Sequence, residues 1–273
     1  MSEPSLPAGP PGRALTSLVV PAYNPGSRLA ETLQELTRFL EADARGRWEV
    51  VFVCDGCTDG SAELLEVWRK ATAAPVRLVS YPGNRGKGYA VRQGLAAARG
   101  QWRIFTDVDL AYGLGQVQRL AEALWGGADA VIASRAHPQS QVLLPAALQG
   151  YVYRRHLQSR VFASVVRWIL PLRHGDTQAG LKGFSAAALE RFLPHLRCDG
   201  FGFDCELLTA CARFGVPVTE LPVCVRYESG GASTTGAMAT VRMLRELWAI
   251  RRAWKHVEVP AAEVPTLAYR KAV

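Results

Sequence analysis

The chain lacks any window apolar enough to cross a bilayer. Its most hydrophobic stretch, Val161 to Leu172, is broken by Arg167, and a helical span needs ~20 apolar residues. Membrane contact, if made, is therefore expected through a surface. Metal-finger spacing is also missing. Cys54 and Cys57 form a CxxC, but no second CxxC and no suitable histidine pair follow among the six cysteines, which argues against a structural zinc site. The first 13 residues carry no apolar core of the kind a secretory signal needs. Free thiols in a reducing cytosol are the expectation that follows. GxGxxG and GxxxxGK[ST] are both absent, so neither a dinucleotide fingerprint nor a P-loop is predicted. No nucleic-acid-binding signature accompanies the aromatic residues, and nucleic acid is not an expected partner.

What is present reads as one folded unit. The 273 residues are 49% hydrophobic and 21% charged, a globular balance, with a net charge of +8 that favours anionic partners. Residues 1–13 are expected to be a disordered leader and 257–273 a flexible tail. Between them, 14–256 read as a single domain. Apolar runs at 15–21, 48–54, 76–81, 102–106 and 130–133 predict buried strands. The segments 27–43, 61–72, 87–99 and 114–126, with apolar residues at helical spacing, predict the helices between them. Strand–helix alternation of this kind implies an α/β fold with a mostly parallel central sheet and helices on both faces. The second half is less regular: helices are predicted at 147–170, 203–214 and 237–256, with a strand near 218–226.

Ligands of such sheets bind beyond the carboxyl ends of the strands, and each predicted strand ends in a polar cluster. These are Pro21-Ala-Tyr-Asn24, Asp55-Gly-Cys-Thr-Asp59, Asn84-Arg-Gly-Lys-Gly88, Asp107-Val-Asp109 and Ser134-Arg135. Asp107 and Asp109, two residues apart at a strand end, suit one hard divalent cation that keeps positions open for phosphate oxygens, Mg²⁺ or Mn²⁺. Asp55 stands where an acceptor would pair with a base or ribose, whereas Asp59 reads as turn and helix-capping chemistry. Asn84 to Gly88 opens a helix whose N-terminus favours an anion, and Lys87 adds a point charge. Ser134 to Gly175 holds six arginines, three histidines and no carboxylate. A basic amphipathic helix there would suit an anionic membrane surface or a phosphate. Trp168, Trp248 and Trp254 read as packing or membrane-interface residues.

In this order the clusters resemble glycosyltransferase family 2, in particular its dolichyl- and polyprenyl-phosphate glucosyl- and mannosyltransferases. The resemblance runs from about Leu15 to about Lys255. It rests on the five clusters together with Asp176-Thr-Gln-Ala-Gly-Leu-Lys-Gly-Phe184 and Gly202-Phe-Asp-Cys-Glu206. It departs from the family pattern at Pro25, where Glu is usual, at Cys54, where Asp is usual, and at Ala111, where mannosyl members often have Gln. The resemblance implies a GT-A, Rossmann-like fold and a UDP- or GDP-sugar donor. It implies that Pro21, Tyr23, Asn24 and Asp55 surround the nucleotide, with Lys87 near it and Asp107 and Asp109 on ribose and metal. Residues 14–135 would then be the nucleotide-sugar-binding half and 136–256 the acceptor-binding half. Arg135 and one of Arg154 or Arg155 would meet an acceptor phosphate.

The expected reaction is inverting displacement at the sugar's anomeric carbon, with Lys87 and Lys182 helping to offset the leaving group's charge. A polyprenyl phosphate acceptor is already anionic and needs only cations to hold it. A hydroxyl acceptor, as in polysaccharide synthesis, needs a base, for which Asp204 is the candidate. Asp204 and Glu206 also fit compensation of a helix N-terminus. The expected setting is the cytoplasmic face of a membrane, touched directly or through an anchored partner.

Overall fold

The computed structural model describes residues 15–43, 46–143, 164–170, 172–226 and 237–257. The predicted alternation is present. In chain order it comprises β1 (Thr16–Ala22), α1 (Arg28–Ala42), β2 (Trp48–Asp55), α2 (Ser61–Ala71), β3 (Val76–Tyr81), α3 (Lys87–Ala97), β4 (Trp102–Phe105), α4 (Leu114–Trp125) and β5 (Ala130–Ser134). A short β6 (Gln141–Leu143) follows, then a helical segment at 164–169, here α5. The remainder is β7 (Lys182–Ser185), α6 (Ala186–Phe192), α7 (Phe203–Arg213), β8 (Val218–Pro222), β9 (Cys224–Arg226) and α8 (Ala237–Trp254). Most of the predicted 147–170 helix, with Arg154 and Arg155, lies outside the described residues, as do the leader and nearly all of the tail.

Seven strands form one sheet in the order β3-β2-β1-β4-β7-β5-β8, and β6 pairs with β9 in a separate ribbon. Every pairing in the main sheet is parallel except those of β7, which runs antiparallel between β4 and β5. The predicted 218–226 strand is therefore two, because the chain leaves the large sheet at Pro222 and joins the small one at Cys224.

Both faces are covered, so the strands read as continuous apolar runs rather than alternating ones. Leu18, Val20, Val50, Phe52 and Ile104 pack with Leu29, Leu33 and Leu36 of α1, Leu65 of α2 and Leu120 of α4. Val19, Val51, Val53 and Phe105 pack with Val91 and Leu95 of α3, together with Leu189 of α6, Leu207 and Leu208 of α7 and Leu247 of α8. Each fully buried side chain of this size contributes roughly 1.5–3 kcal/mol. The chain runs from β1 to β2 and β3 on one side, and β4 returns to the other side of β1. The carboxyl ends of β1 and β4 thus flank the point where the strand order reverses, where open α/β sheets place their ligands.

Candidate active site

The acidic pair follows β4. Asp107 Oδ1 accepts from Lys87 Nζ at 2.8 Å, and Asp109 Oδ2 lies 3.8 Å from Arg28 Nη1. Both carboxylates stay 38% open to solvent. Burial, and then repulsion from Asp107, hold the Asp109 carboxyl above the ordinary carboxylate range. Lys87, at the first turn of α3, also faces Asp204 Oδ2 at 3.8 Å. Burial works against its charge, but the carboxylates of Asp107 and Asp204 outweigh it and hold the ammonium above its usual range.

Behind Lys87 the charges continue inward. Lys182 Nζ has no exposed surface and donates to Asp204 Oδ1 at 2.6 Å and to the Ala179 carbonyl at 2.5 Å. Asp204 itself is 2% exposed. The result is a ladder of alternating charge, Lys182–Asp204–Lys87–Asp107, running from the core to the crevice. Two expected site residues thus lie deeper than the crevice. Lys182 is sealed behind Asp204, and its contacts are to Asp204 and the Ala179 carbonyl. Asp204 has one oxygen on Lys182 and the other facing Lys87.

The crevice wall beside Asp107 is Gly180. A β-carbon there would stand 2.0 Å from Asp107 Oδ2. Gly180→Ala is therefore expected to push Asp107 off Lys87. A displacement of about 1 Å at a reacting site costs on the order of 10²-fold, and a matching fall in turnover, with a melting temperature close to wild type, is the expected result.

Asp55 is buried, and its two oxygens accept the backbone N–H groups of Arg85 and Gly86 at 2.7 and 2.9 Å. These bonds shape the loop before α3. Gly86 takes a left-handed φ of 105°, and a β-carbon on it would meet the Asp199 carbonyl at 2.4 Å. The same carbonyl accepts from Gly88 N at 2.8 Å, docking the start of α3 on the loop before α7. Asn24, at φ 44°, accepts from Thr58 N at 2.8 Å and so ties the loop after β1 to the loop after β2. Asp59 accepts from Gly26 N and Ser61 N, the turn chemistry expected of it. Pro21 is the half-buried penultimate residue of β1, and Tyr23 just beyond the strand is 54% exposed at the same edge.

On the far side of the crevice Arg135 follows β5. Asp176 accepts from its Nε at 2.6 Å, its Nη2 at 2.9 Å and its backbone N at 3.1 Å. Burial opposes the Asp176 charge, but these arginine contacts outweigh it and hold its carboxyl below the ordinary range. A depressed carboxyl contributes stability above its unfolded pKa, near ~4, and loses it as pH falls through the folded value. Asp176→Asn is accordingly expected to lower the melting temperature at pH 7 by about 4–8 °C, for a loss of roughly 2 kcal/mol. The gap from wild type should close as pH drops below about 4, as read by calorimetry across pH.

Buried Tyr112 lies within electrostatic reach of Arg135, Asp176, Asp107 and Lys87, and burial keeps its phenol protonated. Tyr112, Asp176 and Gly180 were given no role from the sequence. For Asp176 and Gly180 the signal was the Asp176-to-Phe184 motif itself. Cys54 is buried and its thiol is pushed up to about 12 by burial and by Cys57. All six cysteines are free. Among the described residues no group of three or more His, Cys, Asp or Glu side chains is placed to hold a metal ion. Asp107 and Asp109 form a two-carboxylate set. No described helix is long and apolar enough to cross a membrane.

Solved structures share this architecture. The mannosyltransferase PcManGT of Pyrobaculum calidifontis, in complex with GDP-Man and Mn²⁺, matches with a TM-score of 0.57 at 21% identity, covering 92% of this chain and 67% of its own. S. aureus TarS 1–349 in complex with UDP-GlcNAc matches with a TM-score of 0.56 at 14% identity, covering 91% and 68%. The fold is thus the GT-A class of α/β sheet, as the motif set implied. The dolichyl-phosphate beta-glucosyltransferase of Saccharomyces cerevisiae is 31% identical over 257 residues, 87% of this chain and 74% of its own length. That of Drosophila melanogaster is 32% identical over 246 residues, 86% and 73%. The description "Glycosyl transferase family 2" matches residues 17–187, and the chain belongs to that family.

Proposed function

We propose that this protein transfers a hexose from a UDP- or GDP-sugar to a polyprenyl phosphate, with inversion at the anomeric carbon. The relatives named for dolichyl-phosphate glucosyl transfer support the reading. The observation that carries it is the state of Asp204. Asp204, the candidate base for a hydroxyl acceptor, is buried between two lysines. A phosphate acceptor needs no base, because its oxygen is already an anion near neutral pH.

In this reading the acceptor phosphate oxygen forms a bond to the sugar's anomeric carbon while the bond from that carbon to the donor's β-phosphate oxygen breaks. The electron pair leaves on the nucleoside diphosphate, and no proton changes hands. Lys87 faces the growing charge, held in place by Asp204 and Lys182 behind it. Arg135, fixed in plane by Asp176, orients the acceptor phosphate. Residues 14–135 serve the donor and 136–256 the acceptor, and Arg154 or Arg155 joins Arg135. Asp107 and Asp109 suit Mg²⁺ or Mn²⁺: burial and then repulsion from Asp107 raise the Asp109 carboxyl, and a shared cation would relieve the repulsion. A bound cation would supply countercharge to the pyrophosphate. The lipid acceptor places the protein against the cytoplasmic face of a membrane.

The test is a panel of nucleotide sugars offered with a short polyprenyl phosphate and read by mass spectrometry. A hexose added to the lipid phosphate is expected. Transfer confined to hydroxyl acceptors would overturn the reading. Arg135→Ala should reduce transfer to the lipid phosphate by about 10²-fold, the size of one lost charge-assisted contact, while donor hydrolysis changes little.

A further inference from the structure

Tryptophan is costly to leave in water, yet two sit together on the surface. Trp168 of α5 is 74% exposed and Trp248 of α8 is 49% exposed. Their rings meet edge to face at a centroid separation of 6.0 Å. The pair is held rigidly: Arg251 lies 5.5 Å over the Trp248 ring and donates to the Ile169 carbonyl at 2.9 Å, joining the two helices. The inward faces are ordinary core, with Val166, Ile169 and Leu170 of α5 and its continuation, and Leu247, Ile250 and Trp254 of α8.

Among the described residues, the exposed charges of α5 and α8 have one sign. Arg167 on α5 and Arg242, Arg245, Arg252 and Lys255 on and after α8 are exposed. Between residues 242 and 257 the one carboxylate is Glu246. It points the other way, accepting from Gly202 N at 2.7 Å at the start of α7. A solvated helix face ordinarily mixes both signs, and this one does not. The same turn of α8 that presents Trp248 outward therefore buttresses, through Glu246, the helix that carries Asp204.

We propose that this face of α5 and α8 docks the protein on an anionic bilayer, with Trp168 and Trp248 entering the headgroup region and the arginines meeting lipid phosphates. Aromatic rings with a polar edge favour that depth, and basic side chains beside it are drawn to anionic headgroups. The inference rests on the proposed lipid acceptor for its purpose, but the contact itself is measured without substrate.

The experiment is co-sedimentation of the full chain with vesicles of phosphatidylcholine mixed with phosphatidylglycerol, against vesicles of phosphatidylcholine alone. Strong binding to the mixed vesicles is expected. Trp168→Ala with Trp248→Ala should weaken it by at least about tenfold. Arg245→Gln with Arg252→Gln should weaken it about thirtyfold, at roughly fivefold per basic residue, with no effect on the uncharged vesicles. Both double variants should keep the wild-type melting temperature and wild-type transfer to a short, water-soluble polyprenyl phosphate. Wild-type protein that ignores the mixed vesicles, leaving the face for an acidic protein, would overturn the proposal, as would variants that bind like wild type. Transfer to the soluble acceptor without vesicle binding would sink the docking face alone. Vesicle binding through these residues without any transfer would uphold it and sink the proposed reaction.

Discussion

Asp109→Ala is expected to reduce hexose transfer by at least about 10²–10³-fold, the usual scale for losing one preorganised electrostatic partner of a transition state. The fold should survive it, and the melting temperature should stay level or rise. Asp109 sits where burial and the Asp107 carboxylate both disfavour its charge. Its contact with Arg28 is 3.8 Å long and half in solvent, a geometry that contributes little. A carboxyl raised in the folded state costs stability once pH exceeds its unfolded value near ~4. Any gain in the variant should therefore appear above that pH and vanish below it. Loss of activity together with unchanged or improved stability is what distinguishes a residue kept for function from one kept for structure. Paired turnover and calorimetric measurements on the variant settle which applies. A variant that loses stability and activity in parallel would move Asp109 into the structural class.

Lys182→Met is expected to act in the opposite way. It strands the buried Asp204 carboxylate, and breaking a buried pair from one side costs about 3–5 kcal/mol. Asp204 still faces Lys87, which favours the lower end, near ~3 kcal/mol, or a fall of about 6–12 °C in melting temperature. Adding Asp204→Leu removes the stranded charge and should restore most of the stability, because apolar pairs often replace buried ion pairs without loss. Activity should not return with it. Lys87 then has Asp107 as its remaining carboxylate neighbour on the ladder and is drawn away from the donor. Recovery of both stability and turnover in the double variant would show the ladder to be scaffolding alone. Thermal melts and transfer assays on the single and double variants separate the two outcomes.

These contrasts also show what the sequence makes legible. The parallel strands are visible because burial on both faces leaves unbroken apolar runs, such as Val50 to Cys54, and because polar clusters end them. β7 is invisible by that criterion. Lys182-Gly-Phe-Ser185 is four residues long and begins with a buried lysine. It is a strand because β4 and β5 pair with it on either side. The acidic pair and Lys87 were legible because their chemistry points outward at a strand end and a helix start. The loop role of Asp55 is not legible, because a carboxylate after a strand looks alike in sequence whether or not it binds its own loop. Here it accepts the N–H groups of Arg85 and Gly86. Asp176 and Arg135 are 41 residues apart, and Asp204 and Lys182 are 22 apart. No local spacing announces either pair. The tryptophans were flagged as packing or interface residues, and the structure divides them. Trp254 is buried and donates to Glu206, whereas Trp168 and Trp248 face solvent.

The proposed reaction gives the ladder, the acidic pair and the pinned arginine one shared arrangement of donor and acceptor. The most direct test is a crystal structure of the protein with Mn²⁺, UDP or GDP, and a short polyprenyl phosphate. The diphosphate is expected between Lys87 and the carboxylates of Asp107 and Asp109, with the lipid phosphate on Arg135 and facing it. A diphosphate bound elsewhere, with Asp107 still closed on Lys87, would contradict the account.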